Sequence, residues 1–275
     1  STRGRTLQEG SIYAEKSLKV SEDIMIVGID FNSLSNYGKW PFPRWRHADL
    51  INAFSRIQDQ TQRENSLFLD IFLVDNDPTP ADDDILLKSM KASRKVYLET
   101  ILSLQSDTSA FADEMSARQK ELFDSLGTIR KVGGPWKDMD SYLSSEPPLP
   151  AYIEAAAGYG HANFSPDADQ IYRHQPMVAK ASTIIEEIKF DDLKPGYKVD
   201  EANYERLAWM DKNGIYHTIP MPITERSLAS LKRTLEKNAP VKIEDTNGDG
   251  TPDESYYVLR HFKDRFIPSI TLSLA

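Results

Sequence analysis

Short apolar runs alternate with amphipathic stretches in the first third of the chain, and this alternation constrains the fold more than any other feature. Residues 24–29 form a continuous apolar run rich in β-branched side chains, which is typical of a strand buried on both faces. Residues 67–73 and 95–102 have the same character. Between the first two runs, apolar residues recur at helical spacing over 50–57. The pattern predicts an α/β fold with a mostly parallel central sheet flanked by helices.

The pattern changes after residue 181. Residues 207–211 and 215–219 flank Asn213-Gly214, and this two-residue turn is typical of a hairpin. Residues 225–237 have the leucine spacing of an amphipathic helix. We therefore predict a β-rich insertion that contains hairpins and a helix. The predicted domains are a membrane-proximal helical lead-in over residues 1–20, an α/β core over 21–181, the insertion over 182–260 and a C-terminal helix over 261–275.

The chain is acidic and contains no cysteine. Its 275 residues include 33 basic and 42 acidic side chains, which gives a formal charge of −9. Nucleic-acid binding depends on Lys and Arg side chains that neutralise phosphates, so this charge argues against a nucleic-acid partner. The lack of cysteine excludes disulfides and thiolate metal sites. The longest apolar run is far shorter than the about 20 residues of a membrane helix, so we expect the chain as given to be soluble.

Two blocks in the first half of the chain share one arrangement. The first is the apolar run that ends at Asp30, followed by the motif Gly38-Lys-Trp-Pro-Phe-Pro-Arg44. The second is Leu69-Asp-Ile-Phe72, with the paired Asp82 and Asp83 after it. In both blocks, an aspartate stands at or near the end of a predicted buried strand.

A third block completes a family pattern. Gly160-His-Ala-Asn-Phe164 leads into Pro166-Asp-Ala-Asp169 and Arg173, and the chain ends with Ile267-Pro-Ser-Ile-Thr-Leu-Ser-Leu-Ala275. In this order, the three blocks and the C-terminal segment resemble the second class of CHASE domains. These are the extracellular sensory modules of bacterial adenylate cyclases, histidine kinases and related receptors.

The resemblance implies a non-catalytic sensory domain that binds an unidentified small molecule or protein. It implies a periplasmic or extracellular position, with membrane attachment only through flanking segments outside this chain. It also implies a cytoplasmic cyclase or kinase as output and a homodimer formed through membrane-proximal helices. Two features depart from the family pattern: Gln170 stands where the family usually has Gly, and residues 182–258 separate the third block from the terminal helix more than usual.

Acidic side chains follow the predicted strands. Asp30 and Asp70 fall near the carboxyl ends of two adjacent predicted strands, which is where ligands bind in open α/β sheets. With Asp83 and Arg44 they could form a polar pocket or, as three carboxylates, the site of a metal-assisted hydrolase. The structural alternative is that Asp30 and Asp83 cap helices and Arg44 neutralises Asp70. No nucleophile elbow, P-loop or His-Glu-x-x-His motif is present, which favours a chain that is not an enzyme.

The candidate ligand-binding residues combine these strand ends with the motifs of the resemblance. The Trp40 loop either covers a ligand or plugs the sheet edge, because Trp and Phe bury large areas. His161 is either a ligand contact or a hydrogen-bonded core residue, and five His without a His-x-x-x-His pair argue against zinc. The candidates are Asp30, Trp40, Arg44, Asp70, Asp83, His161, Asn163, Asp169 and Arg173.

An acidic loop over residues 245–253 has the ligand spacing of an EF-hand calcium loop. The candidate calcium ligands are Asp245, Asn247, Asp249, Thr251 and Asp253. Tyr256 stands where such loops carry a bidentate Glu, so the spacing predicts a weak site with an affinity on the order of millimolar. Loops of this composition also form turns without metal. A further hypothesis is therefore a calcium-stabilised interaction module with no small ligand.

Overall fold

The computed structural model describes residues 23–59, 61–105, 112–125, 128–164, 168–171, 175–245, 250 and 253–275. The helices in this part of the chain are α1 (Phe31–Tyr37), α2 (Arg44–Ser55), α3 (Pro80–Ser93), α4 (Ala112–Ser125), α5 (Pro150–Ala155), α6 (Glu225–Asn238) and α7 (Ile270–Leu274). The strands are β1 (Leu67–Phe68), β2 (Val96–Ser103), β3 (Ser141–Tyr142), β4 (Ser144–Glu146), β5 (Gly158–His161), β6 (Val178–Lys189), β7 (Glu205–Met210), β8 (Tyr216–Thr218), β9 (Lys242–Glu244), β10 (Glu254–Tyr256) and β11 (Val258–Pro268). The chain divides into two compact units, Ser1–Phe42 and Pro43–Ala275.

The N-terminal unit contains α1, and an unpaired segment precedes this helix. The predicted strand over residues 24–29 is wrong: within the described part of the chain these residues pair with no strand, and Ile26 is 84% exposed. An apolar run becomes a buried strand only where a neighbouring strand takes up its backbone hydrogen bonds and other side chains cover it. The predicted lead-in helix over residues 1–20 lies outside the described residues.

A short parallel sheet forms one layer of the second unit. Its long strand, β2, pairs in parallel with both β1 and β5. The end of β2 also pairs antiparallel with β4. The prediction of a strand over residues 95–102 is confirmed by β2, whereas β1 covers only the first two residues of the run over 67–73.

Two helices cover one face of this sheet. Val96 and Leu98 of β2 pack in one buried cluster with Ile51 of α2 and Leu86 of α3. The helix predicted from the apolar spacing over residues 50–57 is confirmed by α2, which ends at Ser55. In the described part of the chain, no helix is long and apolar enough to cross a membrane.

A second sheet has five strands in the order β3-β6-β11-β7-β8. Within it, β6 and β11 pair antiparallel over almost their whole length, while β3 joins β6 in parallel. The fold is therefore α/β as predicted, but both sheets mix parallel and antiparallel strands, and the long pairing of β6 with β11 is antiparallel. The sequence does not predict the long strand β11, because charged residues interrupt its apolar positions and one of them, Asp264, is itself buried.

These long strands also cross the predicted domain limits. The limits at residues 181/182 and 260/261 lie inside β6 and β11. The C-terminal helix is shorter than the predicted 261–275, since α7 covers only Ile270–Leu274 and the residues before it continue β11. Two strands paired side by side thus connect the predicted core with the predicted insertion.

The predicted hairpins and helix of the insertion are confirmed. β7 pairs antiparallel with β8, but the predicted two-residue turn is wrong. The N–H of Asp211 donates to the Ile215 carbonyl at 2.9 Å, so three residues connect these positions, and Gly214 among them has a φ of +84°. β9 and β10 form a second hairpin around the acidic loop. Leu231 and Leu235 on the inner face of α6 pack with Trp209 and Leu259 in a buried cluster. This cluster gives residues 188–259 a core of their own.

Candidate functional site

The parallel strands bring polar side chains to one edge of the first sheet. Asp70 follows β1, Glu99 lies in β2 and His161 ends β5. Ligands of open parallel sheets bind at the carboxyl ends of the strands. The sequence predicts Asp70 and His161 as candidates, but it does not predict Glu99, which lies inside an apolar run that indicates only a strand.

Asp70 and Glu99 form a carboxyl pair. Glu99 is only 5% exposed, and its carboxyl group is hydrogen-bonded to that of the exposed Asp70. Burial, this hydrogen bond and the charge of Asp70 raise the pKa of Glu99 well above its ordinary value. The raised pKa favours the protonated, uncharged form of the Glu99 carboxyl group beside Asp70.

A second polar cluster joins α2, α3 and α5. Nε of Arg44 lies 3.7 Å from Oδ1 of Asp83, and both side chains are buried. The Tyr152 hydroxyl donates to Oδ1 of Asp83, and burial together with this carboxylate raises the pKa of Tyr152 above its ordinary value. The interpretation that Arg44 neutralises Asp70 is wrong. The partner of Arg44 is Asp83, because α2 and α3 pack side by side.

The same cluster fixes the loop before α3. The backbone N–H of Arg44 donates to Oδ2 of Asp77 at 3.1 Å, and its Nη2 donates to the Asp75 carbonyl at 3.1 Å. Asp83 accepts the N–H of Asp77 at 2.8 Å. The N-cap of α3 is Thr79, so Asp83 binds the preceding loop and does not cap the helix as predicted.

His161 and Asn163 stabilise the edge next to β2. His161 is fully buried, and this burial lowers its pKa to about 4, so the imidazole ring is neutral at pH 7. The Asn163 side chain accepts the N–H of Leu102 at 2.9 Å and donates to the carbonyl of Leu102 at 2.7 Å. Asn163 thus completes the backbone hydrogen bonding of β2, and these contacts favour a structural interpretation of both residues.

Asp30 and Trp40 belong to the N-terminal unit. Asp30 is the N-cap of α1: its Oδ1 accepts the N–H of Ser33 at 2.9 Å, and Oγ of Ser33 accepts the N–H of Asp30. These hydrogen bonds lower the pKa of Asp30 and agree with the capping interpretation. Trp40 is 48% exposed and meets the ring of Phe42 edge to face at a centroid distance of 5.7 Å.

Asp169 and Arg173 are the remaining candidates of the third block. Oδ1 of Asp169 accepts the N–H of Ile171 at 3.2 Å, and Arg173 lies outside the described residues. In the part of the chain that the structure describes, no three His, Asp or Glu side chains are arranged to hold a metal ion. The metal-assisted hydrolase has no assembled site there, since Asp30 caps a helix and Asp83 pairs with Arg44.

In the acidic loop the structure describes Asp245, Gly250 and Asp253. Oδ2 of Asp245 accepts the N–H of Gly250 at 2.6 Å, as in a turn closed by its first side chain. Asp253 is exposed. The other predicted calcium ligands, Asn247, Asp249 and Thr251, lie outside the described residues. The calcium site therefore stays a prediction.

The second sheet buries a charge cluster that the sequence does not predict. Nε of Arg206 donates to Oδ2 of Asp264 at 2.7 Å, and both side chains are almost fully buried. Nζ of buried Lys180 donates to the carbonyls of Trp136 and Lys137. Burial lowers the pKa of Lys180 to about 8, and the nearby Arg206 charge acts in the same direction. Only the register of three long strands brings these groups together, so no local pattern reveals them.

Similarity to a known family extends along nearly the whole chain. No curated protein and no solved structure matches it. The family model for the CHASE2 domain matches residues 5–273, which confirms the resemblance of the three sequence blocks. The chain therefore belongs to the CHASE2 domain family, whose members are extracellular sensory domains of signalling receptors.

Proposed function

We propose that this chain is the sensory domain of a transmembrane receptor and that its ligand state controls a cytoplasmic adenylate or guanylate cyclase or histidine kinase. The observation that carries this proposal is the family match over residues 5–273. The domain would lie on the periplasmic or extracellular face of the membrane. Segments that flank the chain would attach it to the membrane, and two copies would associate through their membrane-proximal helices.

The polar groups of the first sheet support a binding role better than a catalytic one. Glu99 is buried and hydrogen-bonded to Asp70, and Asp83 is paired with Arg44 and Tyr152. A catalytic carboxylate needs access to a reacting atom, whereas these groups mostly satisfy each other. Asp70 remains exposed at the carboxyl edge of the sheet and is the candidate of this cluster that a ligand can reach.

The C-terminal helix offers a route for the signal. α7 packs closely on β5, since a Cβ atom at Gly160 would lie 2.4 Å from the backbone nitrogen of Ile270. Oγ of Ser273 also donates to the Tyr159 carbonyl at 2.8 Å. The domain would have two conformations that differ in the position of α7. A ligand that binds one conformation more tightly than the other would raise its population, because a ligand shifts such an equilibrium only through its difference in affinity.

The test is deletion of the domain from the full-length receptor. Residues 5–273 are replaced by a flexible linker, and the cyclase or kinase activity of the membrane-bound receptor is compared with that of the parent at equal protein amounts. We expect the cyclase or kinase activity to change its basal level and to respond no longer to the growth medium of the source cells. An output that is the same with and without the domain would rule out the sensory role.

A further inference from the structure

A cavity of about 520 Å³ lies between α6 and the β7–β8 hairpin. This volume is within the range of about 300–1,000 Å³ that is typical of small-molecule pockets. The cavity belongs to the part of the chain between β6 and β11, away from the carboxyl edge of the first sheet in the chain topology. None of the ligand candidates that the sequence predicts lines it.

One wall of the cavity is apolar. Trp209 of β7, Ile219 after β8 and Leu231 of α6 line this wall, and all three belong to the buried core of the region. The wall is therefore held by a packed core and does not depend on a ligand for its shape. Such a surface suits the C–H face of a small ring or carbon chain.

Polar side chains also line the cavity, and two of them, Arg226 and Ser230 of α6, are exposed to solvent. Within the described part of the chain, the side chains of Arg226, Ser230 and Thr218 make no hydrogen bond or ion pair, and all three line the cavity. One further hydroxyl that lines the cavity, that of Ser227, is already used by the cap of α6. Its Oγ donates to the Thr224 carbonyl at 2.9 Å and accepts the Thr224 N–H at 2.7 Å, so the available hydroxyls are those of Thr218 and Ser230.

The chemistry of these groups defines a ligand class. A single guanidinium with no carboxylate partner matches one carboxylate, which it can bind through two parallel hydrogen bonds. Free hydroxyls donate and accept, so they match hydroxyl groups on the ligand. The apolar wall matches a compact carbon skeleton. We propose that this cavity binds a small hydroxylated carboxylate of the sugar-acid class, with its carboxylate on Arg226.

The inference rests on the proposed sensory function for its biological meaning, but binding itself can be measured on the chain alone. The test is an NMR titration of the chain with D-glucuronate, with D-glucose as the matched probe that lacks the carboxylate. We expect glucuronate to shift the amide signals of residues that line the cavity and to bind at least tenfold more tightly than glucose.

Two arginine variants on the same helix make the test specific. Arg226→Gln should weaken glucuronate binding at least tenfold, because the charge-assisted pair is lost. Arg233→Gln is the control, since Arg233 is exposed on α6 and does not line the cavity. Equal loss in both variants, or no loss in either, would overturn the role of Arg226.

Equal binding of glucose and glucuronate would overturn the ligand class, and the absence of shifts at the cavity with glucuronate, galacturonate and gluconate would overturn the site. The sensory proposal fails separately, through an unchanged receptor output after deletion of the domain. The two proposals can therefore be told apart by their failures.

Discussion

Asp264 shares a buried cluster with two cationic side chains, Arg206 and Lys180. The Asp264→Asn variant keeps the shape of the side chain but removes the negative charge, which leaves Arg206 buried without its partner. Breaking a buried pair in this way costs about 3–5 kcal/mol of unfolding free energy. Chemical denaturation of parent and variant measures this loss.

The control for Asp264 is an exposed ion pair. Glu201→Gln removes the partner of Lys137, and both side chains of this pair are partly open to solvent. The expected loss is less than about 1 kcal/mol, as for other surface pairs. Similar losses in the two variants would mean that the buried cluster does not hold the second sheet together.

Glu99 makes stability depend on pH with a definite sign. The folded chain keeps the Glu99 proton above pH 4.5, the ordinary value at which the unfolded chain releases it. The folded state then binds more protons than the unfolded state, so this group lowers stability as pH rises from 4.5 to the raised pKa of Glu99. Glu99→Gln should flatten that decline and increase stability at neutral pH.

Denaturant unfolding at a series of pH values checks the Glu99 prediction. The matched control is Glu154→Gln, because the Glu154 side chain is 68% exposed. This variant should keep the pH slope of the parent. A Glu99→Gln variant with the parent's slope would show that the pKa of Glu99 is not raised in the folded chain.

Gly160 is required where α7 meets the first sheet. A Cβ atom there would lie 2.4 Å from the nitrogen and 2.5 Å from Cα of Ile270, which are backbone atoms and cannot rotate away. Gly160→Ala should displace α7 and destabilise the fold by about 1–3 kcal/mol, as overpacking does. Thermal unfolding and amide hydrogen exchange of residues 270–274 measure the two effects.

Gly133→Ala is the control for this variant. A Cβ atom at Gly133 meets nothing within 4 Å, so no neighbour has to move. Stability and exchange should stay close to those of the parent. If the two alanine variants exchange their α7 amides at the same rate, the close contact between α7 and β5 is not what holds the helix.

Elements whose pattern is local could be predicted from the sequence, and elements that depend on distant partners could not. The leucine spacing of α6 and the turn residues at Asn213-Gly214 predict a helix and a hairpin because both are decided by neighbouring residues, although the turn has three residues and not two. The sequence does not predict β6 and β11, because only their long mutual pairing buries groups such as Asp264. The run over 24–29 shows the reverse case, in which a strand-like pattern lacks a partner strand.

Some residues of the candidate site could likewise be predicted from the sequence, and others could not. Asp70 could be predicted because strand ends in α/β sheets collect ligand-binding groups. Its partner Glu99 could not, since a glutamate within an apolar run gives no local sign of a carboxyl pair. The sequence predicts Asp70 as the partner of Arg44, but the structure pairs Arg44 with Asp83. This pairing depends on the packing of α2 on α3, which sequence spacing does not specify.

The ligand spacing of the acidic loop over residues 245–253 predicts that calcium stabilises the folded chain. Binding to the folded chain alone should stabilise it by about 1.4 kcal/mol at a calcium concentration ten times Kd. The melting temperature should therefore rise at millimolar calcium, and Asp249→Ala should abolish the rise. Magnesium at the same concentration controls for ionic strength. An unchanged melting temperature in calcium would favour a turn that closes without metal.

We propose above that the state of this domain sets the output of a receptor. The most direct test of this proposal is the cyclase or kinase activity of the full-length receptor that carries Gly160→Ala, compared with the parent and with Gly133→Ala in the same membranes. We expect an altered output for Gly160→Ala, because α7 is displaced, and a parental output for Gly133→Ala. Parental output in both variants, with α7 shown by hydrogen exchange to be displaced, would contradict this role of the domain.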